Sequence, residues 1–226
     1  LSDRPAIEWC GHRMTYSELS RAVDGLADLL RERGAERTHV LLLGPLCPAY
    51  VVGLLATLHV GAVPVPVDAG MRTEQYAWTE RITRPSTVLT SDISTVTQYS
   101  GVTGADELLL DSATGSIVLT TTVRGATDVL RHASPDAGYI IPTSGSTGSP
   151  KAVVGSRAGL YEFLSWFVTE FGIDHTDVCA ALTRVNFDPS LRELLAVLCA
   201  GGKLVLPVAD AQLDPRALAV HLTDSR

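Results

Sequence analysis

Cysteine is scarce. The 226 residues hold four, Cys10, Cys47, Cys179 and Cys199, and no two stand in a C-x-x-C spacing. Neither a disulfide framework nor a zinc site is signalled, because the six histidines also stand singly. Four reduced thiols in a cytoplasmic protein are expected. Positive charge is short as well: 18 Lys and Arg against 25 Asp and Glu leave a net charge of −7. Without a basic stripe, nucleic acid held by phosphate neutralisation is excluded, while a small anion at one local site stays open. Long apolar runs are missing too. Residues 40–67 carry no formal charge, but Pro45, Pro48, Gly61, Pro64 and Pro66 interrupt them. A span needs ~20 uninterrupted apolar residues, so no membrane crossing is predicted. The N-terminal "LSDRPAIEWCGHR" has no apolar signal core. Nothing repeats at a fixed period, and no linker stands out.

What is present reads as α/β: parallel-sheet layers flanked by helices. Thr15 and Glu18 form a capping-box pattern ahead of an amphipathic helix over 17–33, and Gly34 stops it. The pattern predicts a strand over 39–43, a mostly apolar helix over 49–60, and a short strand over 62–67 limited by its prolines. An exposed helix over 73–83 and a strand over 86–91 follow. Within 92–133 only strands over 107–111 and 116–123 are legible. Further on come a helix over 156–171, a strand over 178–183, and a helix over 189–202 with Pro189 at its first turn. A strand over 203–207 and a helix over 214–226 complete the pattern.

One stretch is of another kind. Between the apolar runs "AGYII" and "KAVV" stands "PTSGSTGSPK", from Pro142 to Lys151. Glycines permit positive φ, which turns successive backbone N–H groups into one concavity. The hydroxyls of Thr143, Ser144, Ser146 and Thr147 add donors, and Lys151 adds a point charge. Such a loop suits an oligophosphate; a flexible linker or a polar hairpin turn is the plainer alternative. It is not the P-loop of NTPases, because Gly145 and Gly148 stand too close together and Lys151 follows a proline.

"TSGSTGSPK" resembles the phosphate-binding signature of the adenylate-forming enzymes: acyl-CoA synthetases, luciferases and the adenylation domains of nonribosomal peptide synthetases. "MTYSEL" (14–19), "LHVGAVPVPVD" (58–68) and "NFDPSLRELLAVLCAGGKLVLP" (186–207) resemble further segments in the same order, closest to the peptide-synthetase branch. The resemblance implies a partial N-terminal core subdomain over 1–226, within the large N-terminal subdomain of such an enzyme. It implies activation of an amino acid with ATP and Mg2+ to an aminoacyl-AMP, then transfer to the phosphopantetheine thiol of a carrier protein. A condensation domain and a small MbtH-like protein are further implied partners. By the same resemblance, Thr143, Ser144, Gly145, Ser146, Thr147, Gly148 and Lys151 would hold the phosphates, and Phe187 would separate the nucleotide from the acyl site. Asp188, partly buried, would pair with the α-ammonium, while Pro189 and Arg192 would line the side-chain pocket.

Each assignment has a plainer counterpart. Asp188 before Pro189 also suits a helix N-cap. Phe187 also suits the core. Arg192 could select a polar or acidic side chain; pairing with Asp188 one turn away, or a place outside the pocket, is the expectation preferred here. Pro142, Ala152 and the Ser156–Arg157 pair depart from the usual signature without removing a phosphate donor. The adenine, ribose, hinge and catalytic-lysine segments of the family are expected beyond Arg226, so no catalytic residue is assigned within 1–226, and this polypeptide alone is expected to be inactive. A non-catalytic module that keeps the fold, or an acyl- or aryl-acid ligase, are the alternatives; Asp188 argues against the latter.

Overall fold

The computed structural model describes residues 2–68, 70–92, 94, 105–121, 133–143 and 151–207. Its centre is a five-stranded sheet in the order β4-β3-β5-β6-β7, formed by β3 (His39–Leu43), β4 (Val63–Val67), β5 (Thr87–Thr90), β6 (Asp106–Leu110) and β7 (Ile117–Thr121). The first four run parallel, and β7 closes the edge antiparallel to β6. The "HVLLL" run of β3 has no polar alternation because both its faces are covered. Val40 and Leu42 join a core with Leu26 and Leu30 of α1 (Tyr16–Glu32) and Val51, Val52 and Leu54 of α2 (Pro48–His59). Leu41 and Leu43 join a second core with Val63, Val65 and Val67 and with Tyr76 of α3 (Thr73–Thr83).

α1 begins at the predicted capping box. The Glu18 amide donates to Thr15 Oγ1 at 3.2 Å, and the Thr15 amide donates to Glu18 Oε2 at 2.8 Å. α3 differs from expectation: Tyr76, Thr79, Glu80 and Thr83 are buried, so only part of it faces water. Its threonines satisfy their hydroxyls locally, Thr79 on the Gln75 carbonyl and Thr83 on the Thr79 carbonyl, which lets a polar sequence pack against the sheet.

The prolines of β4 set a boundary. The Val63 amide donates to the Thr38 carbonyl, toward β3. Backbone groups alternate sides along a strand, so the nitrogens of Pro64 and Pro66 face the other way and carry no hydrogen. The next strand, β8 (Ala137–Thr143), runs alongside β4 yet ladders only with β9 (Lys151–Ser156), as an antiparallel hairpin. Arg157, first residue of α4 (Arg157–Glu170), positions that hairpin. Its guanidinium donates to the carbonyls of Leu58 and Ala62 at the end of α2, both at 3.2 Å, and to Ala137 at 3.4 Å.

A third sheet, β10-β11-β1-β2, joins β10 (Val178–Ala180) and β11 (Lys203–Val205) to an N-terminal hairpin of β1 (Pro5–Trp9) and β2 (His12–Thr15). The sheet layers are therefore mixed rather than wholly parallel. The hairpin has no expectation in the sequence reading; its turn residues Cys10 and Gly11 both have positive φ, 50° and 76°. That is the backbone of a two-residue hairpin turn, and cysteine is not a residue that announces one. Lys203 on β11 meets Glu8 on β1 at 2.9 Å, with Arg13 at 3.4 Å. Burial works against the Glu8 charge, but Lys203 and Arg13 outweigh it and hold the carboxyl below its ordinary range. α5 (Pro189–Cys199) packs on this sheet. The strand expected to run to residue 183 ends at Ala180, and the helix expected over 214–226 lies outside the described residues.

Candidate functional site

The hairpin β8–β9 brings the two ends of the hydroxyl- and glycine-rich loop together. Thr143 and Lys151 are paired across the ladder, and the Thr143 hydroxyl donates to the Lys151 carbonyl at 3.3 Å. Both residues are exposed, at the end of the hairpin where the connecting loop begins and ends. Ser144, Gly145, Ser146, Thr147 and Gly148 lie outside the described residues.

A second strip converges on the same end, the connection from β10 to α5. Glu193 on α5 reaches back to it. Its carboxylate accepts from the Leu182 and Thr183 amides, both at 2.8 Å, and from the Thr183 hydroxyl at 2.6 Å. The Ser190 hydroxyl donates to the Phe187 carbonyl at 2.6 Å, and the Ser190 amide does so at 3.0 Å. Tied at both ends, the connection turns Phe187 and Asp188 outward. Phe187 is 56% exposed, so it is not a core residue.

Asp188 departs from both of its expected settings. It is exposed rather than partly buried. It occupies the N-cap position, but its own backbone is helical (φ −56°, ψ −33°) and its side chain makes no capping bond. An N-cap carboxylate reaches the N2 or N3 amide from extended backbone, which Asp188 lacks. Among the described residues its carboxylate has no hydrogen-bond or ion-pair partner.

Two clefts meet at Asp188. The first, of about 400 Å³, is walled by Thr143, Phe187 and Asp188, with Asp68 beyond the end of β4 and Gln75 and Trp78 from α3. It opens beyond the carboxyl end of β4, between α3 and the end of the β8–β9 hairpin. Arg184 and Asn186 also line it, and Asn186 Oδ1 is buried without a hydrogen-bond partner among the described residues. The second cleft, of about 280 Å³, is lined by Asp188, Pro189, Leu191 and Arg192 of the α5 strip, by Leu160 and Phe163 of α4, and by Tyr139 of β8. Burial, and then the charge of Asp188, lift the Tyr139 phenol above its ordinary value, so it faces the cleft neutral. Its ring lies against Gly155, where an added Cβ would fall 2.1 Å from the ring.

Arg192 does not pair with Asp188 as expected; it lines the second cleft. Its guanidinium sits over the Phe167 ring, 5.3 Å from the centroid, and its nearest carboxylate oxygen is Glu193 Oε1 at 4.0 Å. Phe167 belongs to α4, a neighbour that sequence spacing within α5 could not reveal. The structure thus brings Thr143, Phe187 and Asp188 onto one cleft, and Asp188, Pro189 and Arg192 onto another; Lys151 stands at the hairpin end without lining either. Sequence reading missed Gln75, Trp78, Arg184, Asn186, Tyr139 and Phe163. Only the position of Asp68, just past a strand of a parallel sheet, carried a signal.

The chain belongs to the AMP-binding enzyme family, whose profile matches residues 1–225. Members of this family are adenylate-forming ligases. Enterobactin synthase component F of Escherichia coli (strain K12) is 30% identical over 217 residues, covering 96% of this chain and 16% of that protein. Among solved structures, the nonribosomal peptide synthetase FmoA3 in its AMPPNP-bound form superposes with a TM-score of 0.79 at 23% identity, over 99% of this chain and 23% of that one. The four-domain synthetase AB3403, bound to AMP and glycine, gives 0.78 at 23% identity, over 98% and 16%. At that identity these structures establish the shared fold, the N-terminal subdomain of a synthetase adenylation domain. The chain spans less than a quarter of the length of each of these relatives.

Proposed function

We propose that the chain is the N-terminal portion of the core subdomain of an amino-acid-activating adenylation domain. It would take part in ATP-dependent formation of an aminoacyl-AMP, which then loads a carrier-protein thiol. The observation that carries this reading is Asp188. A carboxylate with no protein partner among the described residues, held outward by Glu193 and Ser190 where two clefts meet, is suited to an ammonium. An acid lacking that amine would forgo this charge-assisted contact, which favours amino acids over fatty and aryl acids.

The residues present fit a nucleotide polyphosphate. Thr143 and Lys151 offer a hydroxyl and a cation at the hairpin end, and Ser144, Gly145, Ser146, Thr147 and Gly148 join them in sequence. Nucleotidyl transfer is largely positioning and charge neutralisation, which such donors supply without covalent chemistry. Among the described residues no cluster of His, Cys, Asp or Glu holds a metal by itself. Mg2+ arriving with phosphates needs few protein ligands, so ATP with Mg2+ remains the proposed cofactor pair. Carrier protein with phosphopantetheine, condensation domain and MbtH-like protein are the proposed partners, and the cytoplasm the proposed compartment. No helix among the described residues is long and apolar enough to cross a membrane.

The test is amino-acid-dependent ATP–pyrophosphate exchange by the full-length protein over a panel of amino acids, with an MbtH-like partner supplied. Exchange above background with at least one amino acid, lost in Asp188→Ala, is the expected outcome. Silence throughout, with folding intact, would leave a fold-retaining module without the chemistry.

A further inference from the structure

We propose that the second cleft selects an amino acid whose side chain ends in a carboxylate, with Asp188 receiving the α-ammonium and Arg192 the side-chain carboxylate. This rests on the adenylation reading above and names the substrate class of that site. The two charges line one cleft without neutralising each other. They stand one helical turn apart, four residues from each other on the α5 strip, and both line the same cleft.

The pose of Arg192 decides what it can accept. The guanidinium carbon lies over the Phe167 ring, 5.3 Å from its centroid. A cation–ring contact occupies no hydrogen-bond acceptor site on a carboxylate partner, so the N–H groups of Arg192 stay available to a carboxylate. Glu193 does not fill that role. At 4.0 Å it lies at the limit of an ion pair, and both its oxygens already accept from Leu182 and Thr183. The remaining wall is apolar, with Leu160, Phe163, Pro189 and Leu191, and the neutral Tyr139 phenol faces Asp188. An aliphatic side chain would strip water from Arg192 and return no acceptor; a basic one would meet a like charge. A carboxylate is the group that the cleft completes.

The experiment uses the full-length protein and two readouts. Exchange is measured with L-glutamate, L-aspartate, L-glutamine, L-norleucine and L-lysine, and calorimetry follows binding of L-glutamate and L-glutamine without ATP. An acidic amino acid is expected to lead, with kcat/KM falling roughly 10- to 100-fold in Arg192→Gln. Arg192→Lys should restore part of the loss, and ATP binding should be retained in both variants. A neutral or basic amino acid leading, or unchanged discrimination in Arg192→Gln, would overturn the proposal. If no amino acid supports exchange, the adenylation reading fails by itself and binding decides this one. L-Glutamate bound in preference to L-glutamine, and released by Arg192→Gln, would uphold the acidic site. Equal or absent binding would remove it.

Discussion

Glu193 shows how a residue behind the clefts governs those that line them. One carboxylate gathers two amides and a hydroxyl from the connection that ends in Phe187 and Asp188. Glu193→Ala would leave those donors without their acceptor, and charge-assisted bonds of this kind are the stronger ones. We expect a loss of about 2–3 kcal/mol, measured by urea unfolding. At this scale the sequence was informative about residue type and poor about setting. Asp188 before Pro189, and the run of hydroxyls and glycines, were readable as chemistry. The exposure of Asp188 and the stacking of Arg192 on Phe167 were not, because each depends on an element remote in sequence.

Among elements, α3 carries the clearest titration. Burial, and then the charge of Glu107 on β6, push the Glu80 carboxyl from an ordinary 4.5 up to about 7. The folded protein therefore binds that proton more tightly than the unfolded chain. The stability linked to Glu80 is fully present below about pH 4.5 and is lost as pH rises through about 7. The free energy of urea unfolding, compared at pH 5 and pH 8, should fall by less in Glu80→Gln than in the parent, by on the order of 1–3 kcal/mol. Elements with strong local signals were legible, notably α1 with its capping box and the apolar β3. Two kinds of element escaped. The β1–β2 hairpin turns on Cys10 and Gly11, whose positive φ leaves no mark in side-chain pattern. The antiparallel sense of β7 is a matter of connection, which the apolar run "SIVLTTTV" does not encode.

For the molecule as a whole, the alternation of strands and helices was enough to give parallel layers, because a sheet covered on both faces needs apolar strands and apolar helix stripes in turn. The surface was less legible. Among the described residues, exposed apolar side chains include Trp166 at 53% on α4 and Phe171 at 63% just past its end, with Tyr161 at 78% elsewhere on the helix. Trp166 and Phe171 meet edge to face at 6.3 Å, so they form a continuous patch rather than scattered side chains. Contiguous apolar surface of that kind drives association. The 226-residue polypeptide by itself should bind a hydrophobic dye and elute above its monomer size, and Trp166→Lys with Phe171→Lys should reduce both. Monomeric elution without dye binding would show that the band is not adhesive.

The prolines of β4 have a mechanical consequence. Pro64 and Pro66 deny β8 a ladder, so the hairpin bearing Thr143 and Lys151 rests on the central sheet through side chains such as Ala137 and Ile140 against Val63, Val65 and Val67. Such a seam resists separation but offers little resistance to sliding, because no backbone hydrogen bond must break for one surface to glide over the other. Arg157, clasping Leu58, Ala62 and Ala137, acts as a pivot at one end of that seam. Motion of the hairpin about this pivot would be largest at Thr143 and Lys151, while the parallel strands behind it keep their register.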